Sequence, residues 1–146
     1  MKILIQRVSS ASVETEQGET ARIGRGFLVL VGVGGGDRTD SARWLAHKTA
    51  CLRIFDDEEG RMNLDLAAVA GEVLAVSQFT LYGDCRRGNR PGFEQAAAGP
   101  VAREIYETFC RCLREEGVKV QTGVFGARMR VSLINDGPVT LLLEKK

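Results

Sequence analysis

The stretch "SQFTL", Ser77 to Leu81, ends the apolar run "EVLAV" with three polar side chains. Buried hydroxyl and amide groups need hydrogen-bond partners, so Ser77, Gln78 and Thr80 are either satisfied internally or form a pocket floor at a strand end. Such groups, with the backbone N–H groups beside them, can hold an ester and receive the negative charge that develops when it is attacked. His47 is the only histidine, and no Ser-His-Asp arrangement can be assembled without it. It falls within a helical pattern and reads as a solvated or packed helix residue. Hydrolysis by this chain would therefore proceed without an imidazole general base.

Three further clusters could carry chemistry. "RRGNRP" gathers Arg86, Arg87 and Arg90 beside two glycines and one asparagine. Guanidinium forks pair with phosphate oxygens two at a time, so RNA or nucleotide phosphate fits this loop as well as plain solvation does. No aromatic platform is interleaved with the charges, as a single-strand binder would require. "GVGGGD", Gly32 to Asp37, lies between a strand and a helix and imitates a dinucleotide fingerprint, with Asp56 about twenty residues on. Asp37 occupies the third glycine position and would set a carboxylate against the pyrophosphate, so a flexible connection is expected instead. "NDGP", Asn135 to Pro138, separates two apolar runs and reads as a hairpin turn.

The elements that must position these clusters follow from periodicity. "MKILIQRV" alternates, and "ASVETEQGETARIG" continues it through a Gln-Gly turn, giving strand, turn and strand. "GFLVLVGVG" is continuously apolar and β-branched, which suits a central strand buried on both faces. "TDSARWLAHKTACLRIF" places Ala42, Leu45, Ala46 and Thr49 at helical spacing, with Thr39 or Asp40 as N-cap. Residues 72 to 81 read as another buried strand, and the polar segment from Tyr82 to Gly99 as a surface loop. Pro100 suits the first position of a helix running to about Glu116, with Val101, Ile105, Phe109 and Leu113 as its apolar stripe and Gly117 as its stop. "VKVQTGVF", "RMRVSLI" and "VTLLLE" complete the strands.

With 146 residues, 44% of them hydrophobic and 27% charged, the chain suits one domain over 1–146 with a substantial core. The expected class is α+β (α/β), with mixed, curved β-sheets covered by two main helices. The longest apolar run, Phe27 to Val33, is too short to span a bilayer, and "MKILIQRV" has no signal-peptide pattern, so a soluble cytoplasmic protein without a membrane partner is expected. A formal charge of +1 leaves any attraction for nucleic acid to a local patch. Cys51, Cys85, Cys110 and Cys112 form no C-x-x-C and are expected to be free thiols. Zinc is disfavoured by the single imidazole and by Cys110 and Cys112 leaving one helix on different faces.

"SQFTLYGD" at 77 to 84 and "NDGPVT" at 135 to 140 occur together with "QRVSSASV" at 6 to 13 and "GNRPGF" at 88 to 93. On these motifs the whole chain resembles the bacterial-type D-aminoacyl-tRNA deacylases. The resemblance implies a homodimer with a barrel-like core that hydrolyses the ester of D-aminoacyl-tRNA, and of mischarged glycyl-tRNA, without metal or organic cofactor. It implies that Ser77, Gln78, Phe79 and Thr80 surround the terminal adenosine and the scissile ester. It makes Gly137 and Pro138 a cis unit offered to the neighbouring subunit, whose carbonyls reject L-aminoacyl groups. Arg7 would support that unit and Met129 would stand on the pocket wall. Arg86, Arg87 and Arg90 would meet phosphates of the tRNA acceptor end. Water is the implied attacking group, assisted by the RNA 2′-hydroxyl, with direct action of Thr80 as the alternative. Gly92 departs from the family, where serine is common, and removes a hydroxyl from the basic loop.

Overall fold

The computed structural model describes residues 1–145, and Lys146, the end of the expected domain, lies outside the described residues. In chain order the elements are β1 (Lys2–Thr15), β2 (Gly18–Ile23), β3 (Gly26–Gly32), α1 (Thr39–Ala50), β4 (Phe55–Asp56), β5 (Met62–Leu64), β6 (Glu72–Ser77), α2 (Gly99–Glu115), β7 (Lys119–Thr122) and β8 (Arg130–Glu144). A short 3-10 helix, Phe79–Tyr82, follows β6.

The main sheet runs β2-β1-β3-β6-β7, with β8 on the other edge of β1. β1 is antiparallel to β2, β3 and β8, whereas β3, β6 and β7 are mutually parallel. The first half of β1, from Lys2 to Val8, pairs with β3 and the second half, from Ala11, with β2, and the pairing of β1 with β8 shifts register near that changeover, between Gln6 and Val8 and between Val8 and Ser10. Bulges of this kind bend a strand and increase its twist. β2 thereby comes over β6 and β7, and the mixed sheet curls into a nearly closed barrel.

Alternation along the central strands divides the apolar interior in two. Phe27, Val29 and Val31 of β3, with Val73 and Ala75 of β6, face the core beneath the helices. Leu28, Leu74 and Val76 face the barrel interior with Val8, Val13 and Ile23. This is the two-sided burial expected of "GFLVLVGVG". Ala42, Leu45, Ala46 and Thr49 of α1 are buried, as are Ile105, Phe109 and Leu113 of α2. Each fully buried Leu or Phe contributes on the order of 2 kcal/mol by leaving water.

Four sequence expectations are corrected. Val101 stands off the α2 stripe at 48% exposure, since the first turn of that helix projects past the core. Arg38 is the N-cap of α1, without a side-chain cap hydrogen bond, in place of Thr39 or Asp40. β6 stops at Ser77, because the chain coils into the 3-10 turn at Phe79, although Gln78 N–H still reaches Val31 O at 2.8 Å. "NDGP" is no hairpin, because the segments before and after it both pair with β1 as parts of β8.

Candidate active site

A cavity of about 530 Å³ opens beyond the carboxyl ends of the parallel strands β3 and β6, where the polar cluster of the sequence lies. Its wall includes Val76, Ser77, Gln78, Phe79, Phe93 and Met129. The 3-10 turn directs Phe79 outward, 56% exposed, with its ring edge-on to Phe93 at 5.0 Å. Gln78 Nε2 donates to Thr80 Oγ1, although Thr80 does not itself line the cavity. The first N–H groups of such a turn, those of Phe79 and Thr80, have no acceptor within the turn.

The glycine-rich turn supports this floor. A methyl group at Gly34 would stand 2.7 Å from the Tyr82 ring, and one at Gly32 would stand 3.0 Å from Leu81 Cβ and 3.1 Å from Gln78 O. A side chain at Gly34 would have to displace the Tyr82 ring, whereas one at Gly32 would need Leu81 and Gln78 to give by only a few tenths of an ångström. Asp37 then ties the two segments together, its Oδ2 accepting from Gly34 N–H at 2.6 Å and from the Tyr82 hydroxyl at 3.1 Å. Burial first, and the Asp37 charge second, hold the Tyr82 proton well above the ordinary tyrosine range. Asp37, read in the sequence as an obstacle to pyrophosphate, is thus the clamp on the cavity floor. Its displacement of the third glycine was the available signal.

Gly137 and Pro138 do not line this cavity. They lie in a bulge of β8 where residues 136 to 139 stand against the single residue Arg7, between the pairs Gln6 with Thr140 and Val8 with Asn135. Both are exposed, and the peptide bond between them is cis. Arg7 is 5% exposed and reaches beneath the bulge. Its Nε donates to Asp136 O at 3.0 Å, and its Nη1 donates to Ile54 O at 2.7 Å and to Asp56 Oδ1 at 3.3 Å. Asn135 Oδ1 accepts from Val139 N–H at 3.1 Å, while its Nδ2 donates to Thr140 Oγ1 at 2.9 Å. The sequence singled out Asp56 only as the acid of an imitation dinucleotide fingerprint and Asn135 only as a turn former, and it gave neither a part in holding this bulge.

The basic loop forms a separate polar cavity bounded by Asp84, Arg86, Arg87, Arg90 and Glu94. Arg86 forks onto Asp84 at 2.9 and 2.6 Å, and that hydrogen-bonded pairing, aided by the Arg86 backbone N–H, holds the Asp84 carboxyl down at about 2. Among the described residues no hydrogen bond or ion pair engages Arg87 or Arg90. Gly92 exchanges both backbone hydrogen bonds with Asp84, at 2.8 and 2.9 Å, which closes the neck of the loop despite the missing hydroxyl. His47 lies elsewhere, its Nδ1 3.0 Å from Glu116 Oε1.

The profile of the D-Tyr-tRNA(Tyr) deacylase family matches residues 4–144. The chain belongs to that family. A D-aminoacyl-tRNA deacylase of Thermotoga petrophila is 54% identical over 144 residues, covering 99% of this chain and 97% of that relative. A solved structure titled "c-Myc DNA Unwinding Element Binding Protein" superposes with a TM-score of 0.92 at 37% identity, covering 100% of this chain and 99% of its own. The structure of a probable eukaryotic D-amino acid tRNA deacylase shares the fold with a TM-score of 0.83 at 20% identity, over 97% of each chain.

Proposed function

We propose that the chain, acting as one domain in the cytoplasm, hydrolyses the ester joining a D-amino acid, or glycine, to the 3′ end of tRNA. The observation that carries this reading is the cavity at the ends of β3 and β6, whose floor offers Ser77, Gln78 and open turn amides to an ester carbonyl. Family membership supplies the substrate class.

Water attacks the ester carbonyl, and the developing charge is received by the amides of Phe79 and Thr80. The proton passes to the departing 3′ oxygen by way of the neighbouring 2′-hydroxyl. Thr80 serves as a positioning group, since its hydroxyl already accepts from Gln78 and the only histidine is occupied at the α1–α2 contact. Phe79 and Phe93 present an apolar surface suited to the terminal adenine. Arg87 and Arg90 have no competing acceptor among the described residues and take the acceptor-stem phosphates, which gives affinity without sequence choice.

Chirality is read by a second copy of the chain. The exposed Gly137-Pro138 bulge, anchored on Arg7 and outside its own cavity, supports insertion of its carbonyls into the partner's site. β8 is also an edge strand with Ile134 and Leu142 each 62% exposed, which suits a self-complementary interface.

Matched D- and L-tyrosyl-tRNA test the activity: release from the D form alone is expected, and equal release from both, or release from neither, would sink it. Sedimentation tests the assembly, with a fully active monomer counting against the shared site.

A further inference from the structure

The C-termini of α1 and α2 meet about 25 Å along α2 from the helix end that lines the cavity. Cys51 caps α1, Glu116 caps α2, and His47 stands one turn before Cys51. His47 Nδ1 lies 3.0 Å from Glu116 Oε1, and Cys51 Sγ lies 3.9 Å from both ring nitrogens of His47. Donor atoms of all three residues fall within 4.8 Å of one another.

The sequence argument against zinc rested on the single imidazole, which is His47 itself, and on Cys110 and Cys112, which prove to be buried. His47 and Cys51 differ in both respects: they are exposed, and their i,i+4 spacing puts them on one helix face. Sulfur, imidazole nitrogen and carboxylate oxygen are the donors that zinc takes, at about 2.0 to 2.3 Å from the metal, so tetrahedral ligands stand about 3.3 to 3.8 Å apart. Shifts of about an ångström or less by three exposed side chains would reach that arrangement. Two helix C-termini also converge here, and the partial negative charge of each favours a cation.

We propose that His47, Cys51 and Glu116 form a surface site for a borderline divalent ion, zinc foremost, which ties the ends of α1 and α2 together. The metal–sulfur bond forms as the Cys51 thiol proton leaves to solvent. His47 donates a ring nitrogen, Glu116 donates a carboxylate oxygen, and water takes the open fourth position. No electron transfer is involved. By binding only the folded helix pair, the ion stabilises it.

Cobalt(II) titration of the untagged full chain provides the test. One ion per chain is expected, with a thiolate-to-cobalt absorption band that is abolished by Cys51→Ser and kept by Cys85→Ser. His47→Ala and Glu116→Ala should each weaken binding at least about tenfold, since loss of a ligand costs no less than loss of a supporting contact. Added zinc should raise the Tm of the unaltered protein and leave that of Cys51→Ser in place. Absence of binding, a band that survives Cys51→Ser, or affinity unmoved by both His47→Ala and Glu116→Ala would overturn the proposal. Circular dichroism on each variant shows that its fold is native.

Discussion

The 3-10 turn after β6 and the bulge within β8 both interrupt apolar strands, and each is held by a polar side chain reaching from elsewhere. Asp37 secures the first through Tyr82, and Arg7 secures the second through Asp136. They differ in what they face. The turn closes over a cavity built from its own chain, whereas the bulge projects into solvent and borders no such cavity. One feature encloses space within a single copy, and the other is an exposed projection. On the proposed reading, substrate binding and substrate discrimination fall to these two separable parts of the fold.

Arg7→Ala should break the comparison on the bulge side with the largest effect. Removing a buried guanidinium leaves the Ile54 and Asp136 carbonyls unpaired, and a loss of about 3 kcal/mol is expected in urea unfolding. Any folded fraction should lose D-over-L preference more than it loses rate. Gly34→Ala attacks the other side. Its methyl group would push the Tyr82 ring and shift the cavity floor, lowering kcat about 10²-fold, while Gly36→Ala, which meets nothing within 4 Å, serves as the unaffected control. The D-over-L ratio should hold in Gly34→Ala, and its collapse there would show that the two parts are not separable.

Tyr82→Phe is milder. It removes one hydrogen bond to Asp37 and should cost about 1 kcal/mol of stability at neutral pH. Its pH dependence has a defined sign. The folded protein holds the Tyr82 proton more tightly than the unfolded chain, so that contribution is complete below the ordinary tyrosine value of 10.0 and fades as pH rises above it. The difference between Tyr82→Phe and the unaltered protein should therefore shrink in alkali. Arg86→Ala has the smallest effect, returning the Asp84 carboxyl from about 2 toward 3.8 in an NMR titration. The folded value is depressed, so the pair's contribution is present above 3.8 and lost as pH falls through about 2. Tyrosyl-tRNA affinity should depend less on Arg86 than on Arg87 or Arg90, each of which should lower the salt slope by about one when replaced with alanine.

Local pattern made much of this legible. The two-sided burial of β3 and the apolar faces of both helices follow from periodicity, and of the two readings open for the polar end of "EVLAVSQFTL" the pocket wall is the one that Ser77 and Gln78 occupy. The misreadings share a physical cause. Whether Asn135 to Pro138 turn the chain back or bulge from a continuing strand depends on which strand each flank joins, and that is a property of distant pairing with β1. Likewise Asp37 carries no visible role until Tyr82, forty-five residues later, comes to rest against it. Gln78 looks like a strand residue because its backbone still bonds to β3, and only Phe79 onward reveals the coil.

The pairing of β1 on both sides of Arg7 also bears on how the chain can vary in length. Both halves of β8 are registered to the same strand, so one residue inserted into β1 between Gln6 and Val8 would turn every later side chain to the opposite face and carry the anchoring guanidinium away from the bulge. The Glu16-Gln17 turn at the far end of β1 has no such obligation. Insertions should be tolerated there and excluded at Arg7, so the chain can lengthen at the tip of the barrel while the register of β8 on β1 around Arg7 stays fixed.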